Sequence, residues 1–260
     1  MSIRQCLKFF ICASLFLFSC SGKKTSTEKG EDVVVATSSW TAAYAQAAGA
    51  KNVVLLAPLT MSHPSEYELR PGDIPKLKNA TLIVYAGYEV MTAQLQKGLD
   101  IPSDKLYRID TDYNYQTIAQ TVMDLAFRLG TEEAARENLL EIQQVFLEAK
   151  KMVNDKRLTG QKVVVHRFHV SIAQELGLVP ALIFGPVAPE AKDLLSVSKA
   201  DVSFILDNRH NPVGLSFREV LPYAYYRQLL NFPGQIGTKT LSDVIRYNVT
   251  QITGSSFLKQ

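Results

Sequence analysis

The feature that most constrains the fold is a change of texture partway along the chain. From about residue 115 to 155 there is no proline, and the only glycine is Gly130. Within that stretch Leu139, Ile142, Val145 or Phe146, Ala149 and Val153 recur at helical spacing. On either side of it, short apolar runs alternate with helical segments, the pattern of a parallel sheet in an α/β layer. A helical stretch of this length is no ordinary connection. The expected class is therefore α/β: two parallel-sheet lobes joined by one long linking helix, with a ligand cleft between the lobes. The boundaries are an N-terminal lobe over 33–112, the linking helix over 113–157 and a C-terminal lobe over 158–260.

In the first lobe Val33 to Ala36, Asn52 to Ala57, Thr81 to Tyr85 and Lys105 to Ile109 read as strands. Thr37-Ser38-Ser39 is a capping cluster before an Ala-rich helix from Trp40 to Ala50. A short helix over Pro71 to Lys78 has proline in its first turn, and another begins near Glu89. In the second lobe Val163 to Val165, Val179 to Phe184 and Val202 to Leu206 read as strands, with helices reaching Leu176 and Val197. Leu241 to Ile252 is helical. No short-period repeat is visible.

The first residues carry an address. Arg4 and Lys8 precede an apolar run, Phe9 to Phe18, interrupted only by Ser14. This is the order of a secretory signal, placed at residues 1–19, and the run is too short for a membrane span of about 20 residues. Leu17-Phe18-Ser19-Cys20 resembles the lipobox of bacterial lipoproteins, which implies a lipidated Cys20. An uncleaved anchor with an incidental cysteine is the other reading. Cys6 and Cys12 fall within the signal, so Cys20 would stand alone and no internal disulfide could form. Residues 20–32 are polar and aperiodic, as suits a flexible tether. The expectation is a globular protein held by lipid in the cell envelope, outside the cytoplasmic membrane.

Composition narrows the function. With 47% hydrophobic residues the chain can bury a core, which excludes a disordered polymer. Removing Arg4 and Lys8 leaves 26 basic against 25 acidic residues, without a basic block, so nucleic acid is not the expected partner. No G-x-S-x-G, H-E-x-x-H or P-loop stretch appears. His166 and His169 beside Asp207 would lack an activated nucleophile, and the chain is not expected to be an enzyme.

The four histidines, His63, His166, His169 and His210, each follow or nearly follow an expected strand. Ligands of α/β sheets bind outside the carboxyl ends of the strands, and imidazole is the commonest transition-metal ligand. Each is equally at home as a hydrogen-bonded loop residue. His63, however, opens His63-Pro64-Ser65-Glu66-Tyr67-Glu68-Leu69-Arg70-Pro71-Gly72-Asp73-Ile74-Pro75-Lys76-Leu77, followed by Lys78-Asn79-Ala80 and the strand Thr-Leu-Ile-Val-Tyr. This stretch resembles the H-x-Y-E-x-x-P-x-D-I-x-x-L-x-x-A-D-L-V-V-Y signature of the zinc/manganese-binding lipoproteins of bacterial ABC importers, the cluster A-I periplasmic solute-binding proteins. Val163-Val164-Val165-His166-Arg167-Phe168-His169, running on to Gly177-Leu178, is similar to a second motif of that family, and Arg246-Tyr247-Asn248 to a third.

The resemblance implies two α/β lobes bridged by a helix, zinc or manganese as transported ligand, and an ABC permease with its ATPase as partners of a monomeric receptor. It also implies His63 and His166 as ligands. Two further places depart from the family pattern. Where the family has D-P-H, this chain has Asp110-Thr111-Asp112, leaving Asp112 as the nearest donor. Where it has the Asp of an L-D-P-L-G turn, Leu230-Asn231-Phe232-Pro233-Gly234 places Asn231, a neutral and weaker ligand. His169 or His210 would compensate, although packing accounts equally for the first and a surface loop for the second. Glu66 and Glu68 are expected to brace the helix at Pro71, and Tyr223, Tyr225 and Tyr226 to form packing surface. The alternative is the same fold with a degenerate metal site, serving another small solute or contacting partners at the surface.

Overall fold

The computed structural model describes residues 32–257. The expected signal, Cys20 and nearly all of the expected tether lie outside the described residues, as do the last three residues. In the first lobe the strands are β1 (Val33–Ala36), β2 (Asn52–Leu55), β3 (Leu82–Tyr85) and β4 (Leu106–Arg108), interleaved with helices α1 (Ser39–Ala47), α2 (Ile74–Asn79) and α3 (Thr92–Lys97). Two helices follow, α4 (Tyr115–Leu129) and α5 (Glu132–Asp155). The second lobe holds β5 (Lys162–His166), α6 (Val170–Glu175), β6 (Val179–Phe184), α7 (Ala191–Val197), β7 (Phe204–Asn208), α8 (Phe217–Val220), β8 (Tyr225–Leu229) and α9 (Leu241–Thr253).

Each lobe has a four-stranded sheet with every pairing parallel, and the two share one topology: β2-β1-β3-β4 and β6-β5-β7-β8. A parallel sheet is covered on both faces, which is why its strands read as apolar runs instead of alternating with polar residues. In β1, Val34 faces one core and Val35 another; in β5, Val163 and Val165 face one and Val164 another. The largest core is common to both lobes. It runs from Val34 and Val84 through α1, α4, α5 and α9 to Val163, Val165 and Leu206. The outer face of each sheet has its own smaller core, around Ile83 and Leu95 in one lobe and Ile205 and Phe217 in the other.

The link between the lobes is divided at Gly130. Asn114 caps α4, its Oδ1 accepting from the Thr117 N–H at 2.8 Å, and the helix stops where Gly130 turns left-handed at φ 68°. The buried face of α5 is Ala135, Leu139, Ile142, Val145, Phe146, Ala149 and Val153, the stripe expected from the spacing. It packs on α4 and α9, and Glu148 meets Arg246 of α9 at 3.6 Å.

Two local expectations fail. The brace at Pro71 is Asp73, not Glu66 or Glu68: its carboxylate accepts from the Arg70 N–H at 3.0 Å, from Tyr67 Oη at 2.8 Å and from Lys76 Nζ at 2.8 Å. The second fails at Tyr223, which is 94% exposed, whereas Tyr226 packs on the second lobe's outer core and Tyr225, which opens β8, lies against Phe204. Tyr-Tyr-Arg-Gln-Leu has neither an apolar run nor clean alternation. It is a strand because it pairs with β7 at the sheet edge, where only one neighbour is needed.

Gly130 has open space around it, so a side chain there meets no clash and only the positive φ opposes it. Gly130→Ala is expected to lower stability by about 1 kcal/mol. Gly130→Asn should recover part of that loss, since Asn tolerates the left-handed region. Urea melts followed by circular dichroism would measure both.

Candidate metal centre

Because the sheets share one strand order, each has a switch point beside its first strand, and such points are where α/β proteins bind ligands. A cleft of about 620 Å³ lies there, between the lobes. From the first lobe it is lined by Ser38 and Trp40 after β1, the segment Ser62 to Glu66 after β2, Tyr88 after β3 and Thr111 after β4. From the second come Phe168 after β5, Pro186 after β6, Asn208, His210 and Asn211 after β7, and Asn231 and Phe232 after β8. A smaller depression of about 340 Å³ beside β4 and α4 contains no histidine.

Two buried carboxylates hold the loops that form this cleft, one in each lobe, and neither was singled out as a support by the sequence. Glu89 accepts from Thr37 Oγ1 at 2.6 Å, from the Ala86 N–H at 2.8 Å and from the Gly87 N–H at 2.7 Å. The loop bearing Tyr88 is thereby tied to the end of β1. Asp207 accepts from the N–H groups of Asn208 at 2.8 Å and Gly214 at 2.7 Å, and from Tyr226 Oη at 2.6 Å. It pins both ends of the turn carrying His210.

Of the four expected ligands, His63 and Asn231 line the cleft, together with His210. His63 is exposed, at the entry to a one-turn 3-10 helix, Pro64–Glu66. His210 is 6% exposed and stacks on Phe232 with ring centres 3.7 Å apart; neither of its ring nitrogens has a hydrogen-bond partner. Burial lowers its pKa to about 4, opposed by the Asn231 carboxamide and reinforced by His63. Asn231 lies close enough to favour a charged His210 without being aligned for a bond, and its own Oδ1 is buried without a partner.

Asn231 is placed by the terminal helix. Asn248, the last residue of Arg246-Tyr247-Asn248, accepts from the Leu230 N–H and donates to the Leu230 carbonyl, both at 2.8 Å. This two-pronged clamp fixes the backbone one residue before Asn231.

His166 and Asp112 are not among the residues lining the cleft. His166 ends β5 fully buried. Its Nδ1 accepts from the Phe168 N–H at 3.3 Å, and its Nε2 has no partner. The ring lies among Phe168, Phe184 and Gly185, and at Gly185 a Cβ would collide with the imidazole. Burial lowers its pKa to about 4, with Asp207 opposing and Arg167 contributing. Asp112 has both oxygens engaged, accepting from the Tyr113 N–H at 2.6 Å and Asn114 Nδ2 at 3.0 Å. Its backbone is held by Tyr44, whose hydroxyl donates to the Asp112 carbonyl at 2.6 Å.

His169 is fully buried, 6.1 Å from His166 between ring centres, and neither of its ring nitrogens is hydrogen-bonded. Its pKa falls to about 3, chiefly from burial and then from His166; Asn208 and the Leu229 carbonyl lie near enough to oppose the shift without being aligned for a bond. His210 also acts on it. Among the histidines the one close approach of rings is His166 to His169, while His63 acts on His210, and His210 on His169, through charge alone. Among the described residues, no three His, Cys, Asp or Glu side chains form a ready-made metal-holding group.

Asn248→Ala would orphan the Leu230 N–H and carbonyl. It is expected to cost about 3 kcal/mol, read as a lowered urea midpoint. The histidines set a pH response in metal-free protein. His169 takes up a proton near pH 6.5 when unfolded but only near pH 3 when folded. The unfolded state therefore binds the extra proton between those values, and stability falls as pH drops through that window. The slope is about 1.4 kcal/mol per pH unit for each such proton. His169→Gln should flatten the dependence of the urea midpoint on pH between 6.5 and 4.

No family model matches the chain. A curated relative, the high-affinity zinc uptake system protein ZnuA of Haemophilus ducreyi, is 40% identical over 63 residues, which is 24% of this chain and 20% of that protein. The match thus spans about a fifth of the relative's length. Among solved structures, the solute-binding protein FpvC of Pseudomonas aeruginosa in complex with Mn²⁺ superposes with a TM-score of 0.68 at 14% identity, over 86% of this chain and 98% of that one. The Mn-bound periplasmic metal-binding protein of Candidatus Liberibacter asiaticus gives 0.64 at 17% identity, over 87% and 100%. Its Cd-bound form gives 0.65, also at 17% identity and with the same coverage. At these identities the structural likeness is one of fold. The resemblance read from the histidine motifs therefore holds at the level of architecture: the chain has the two-lobed fold of the periplasmic metal-binding proteins and resembles the cluster A-I solute-binding group.

Proposed function

We propose that the chain is a solute-binding protein that captures a divalent transition-metal cation in the cleft and delivers it to an ABC permease and its ATPase. The observation carrying this reading is that His63, His210 and Asn231 line one cleft, with buried donor atoms on His210, Asn231 and, against the lining residue Phe168, His166 that have no partner within the protein. Buried polar atoms are nearly always satisfied, so donors left over at the mouth of two sheets are suited to an outside ligand.

His63 supplies the first-lobe donor, and His210 and Asn231 those of the second. His166 joins through Nε2, and Asp112, which does not line the cleft, contributes only if its loop shifts toward the ion. Nitrogen-rich donors favour zinc over manganese. Binding involves only small movement of the lobes and presents the metal-loaded arrangement to the permease. A cleaved signal over 1–19, lipid on Cys20 and a tether over 20–32 would hold a monomer at the periplasmic or outer face of the cytoplasmic membrane. The fold and the relatives' roles as binding proteins support a receptor over an enzyme.

The second reading, a degenerate site serving another solute or a surface partner, draws on the lack of a ready-made three-residue metal group among the described residues. Titration with zinc and manganese against a chromophoric chelator separates the two. The expected result is one equivalent bound, with His63→Ala and His210→Ala each weakening affinity at least tenfold, and Asp112→Asn less than threefold. Under about 0.2 equivalents in the wild type would favour the second reading.

A further inference from the structure

We infer that the cargo is a chelated cation: a divalent metal arriving with a small carboxylate ligand of its own. This rests on the metal-capture reading and specifies what is captured. Three observations carry it.

The first is charge. The imidazole and carboxamide side chains at the cleft are two imidazoles, His63 and His210, and three carboxamides, Asn208, Asn211 and Asn231. The carboxamides are uncharged, and Glu66 is the single carboxylate among the lining residues. A dication held by neutral donors retains its charge in a partly desolvated space. Sites with imidazole ligands and an open position take an anionic or water oxygen there, and an accompanying carboxylate would fill that role.

The second is room. A water molecule occupies about 30 Å³ in the liquid, and a bare ion needs no more. The cleft measures about 620 Å³, within the range of about 300–1,000 Å³ typical of organic-ligand sites. Its walls carry four aromatic rings, Trp40, Tyr88, Phe168 and Phe232, which offer surface to carbon rather than to a metal.

The third is an unused donor. Trp40 is 8% exposed, lines the cleft, and its indole N–H has no acceptor. An N–H cannot ligate a cation. It is satisfied by an oxygen acceptor, and a carboxylate on the cargo provides one.

The probes are zinc alone, zinc with citrate, malate or L-histidine at fixed free zinc, and each acid alone. Native mass spectrometry reads stoichiometry, and fluorescence of Trp40, the single tryptophan of the chain, reads occupancy. The expected result is a 1:1:1 complex of protein, zinc and carboxylate, with occupancy at fixed free zinc at least tenfold greater than for zinc alone. Trp40→Phe keeps a ring against Tyr113 and removes the N–H; read by native mass spectrometry, it should lose at least fivefold of the ternary complex. Zinc bound equally well without any retained acid overturns the inference and leaves metal capture standing. An acid bound without zinc overturns both, and no zinc in any form overturns the metal reading itself.

Discussion

The apolar layer shared by the two sheets is the constraint on which the molecule depends. Helices α1, α4, α5 and α9 belong to neither lobe alone, since Val34 and Val84 of one sheet and Val163, Val165 and Leu206 of the other pack into the same core. Swinging the lobes apart would expose part of that core, at roughly 25 cal/mol for each Å² of apolar surface uncovered. The Ser39 hydroxyl, donating to the Pro233 carbonyl at 2.6 Å, ties the rims together as well. Opening and closing is therefore confined to the loops and to small shifts. The cleft is a nearly fixed shape, and what it selects depends on the side chains already there.

Those side chains are held by a device used twice. Glu89 follows β3 and Asp207 ends β7, the third strand of each lobe, and each buried carboxylate collects backbone donors from the loop at its strand's end. Their position follows from the shared strand order, which puts the same strand ends at both banks of the cleft. The banks then differ in chemistry. The first offers an exposed imidazole and an indole, the second a buried imidazole and three carboxamides. The cleft is poor in carboxylates, with Glu66 alone, because Asp112 does not line it and Asn231 stands where the resembling family has an aspartate.

Much of the architecture was readable from the chain alone, for a reason particular to parallel sheets. Strands buried on both faces are apolar runs, so β1, β3, β5 and β7 announced themselves, and the stripe on α5 marked the helix against which both lobes pack. β8 did not, because an edge strand needs only one partner and Tyr225 and Tyr226 carry no period. Of the site, His63 and Asn231 were readable by their motifs. His210 was weighed as a compensating ligand or a surface loop, and it is buried against Phe232. Nothing in the sequence around Asn248 indicated that it clamps Leu230.

What the sequence determined by itself was the class of fold, the two-lobed division and the four histidines at strand ends, because hydrophobic period and strand length are local properties. Only the tertiary structure decided which histidines share the cleft, which carboxylates are already engaged and which donors are left without a partner. Those outcomes depend on residues far apart in the chain meeting across two sheets, and distance along the chain carries no information about who occupies the other side of a buried hydrogen bond.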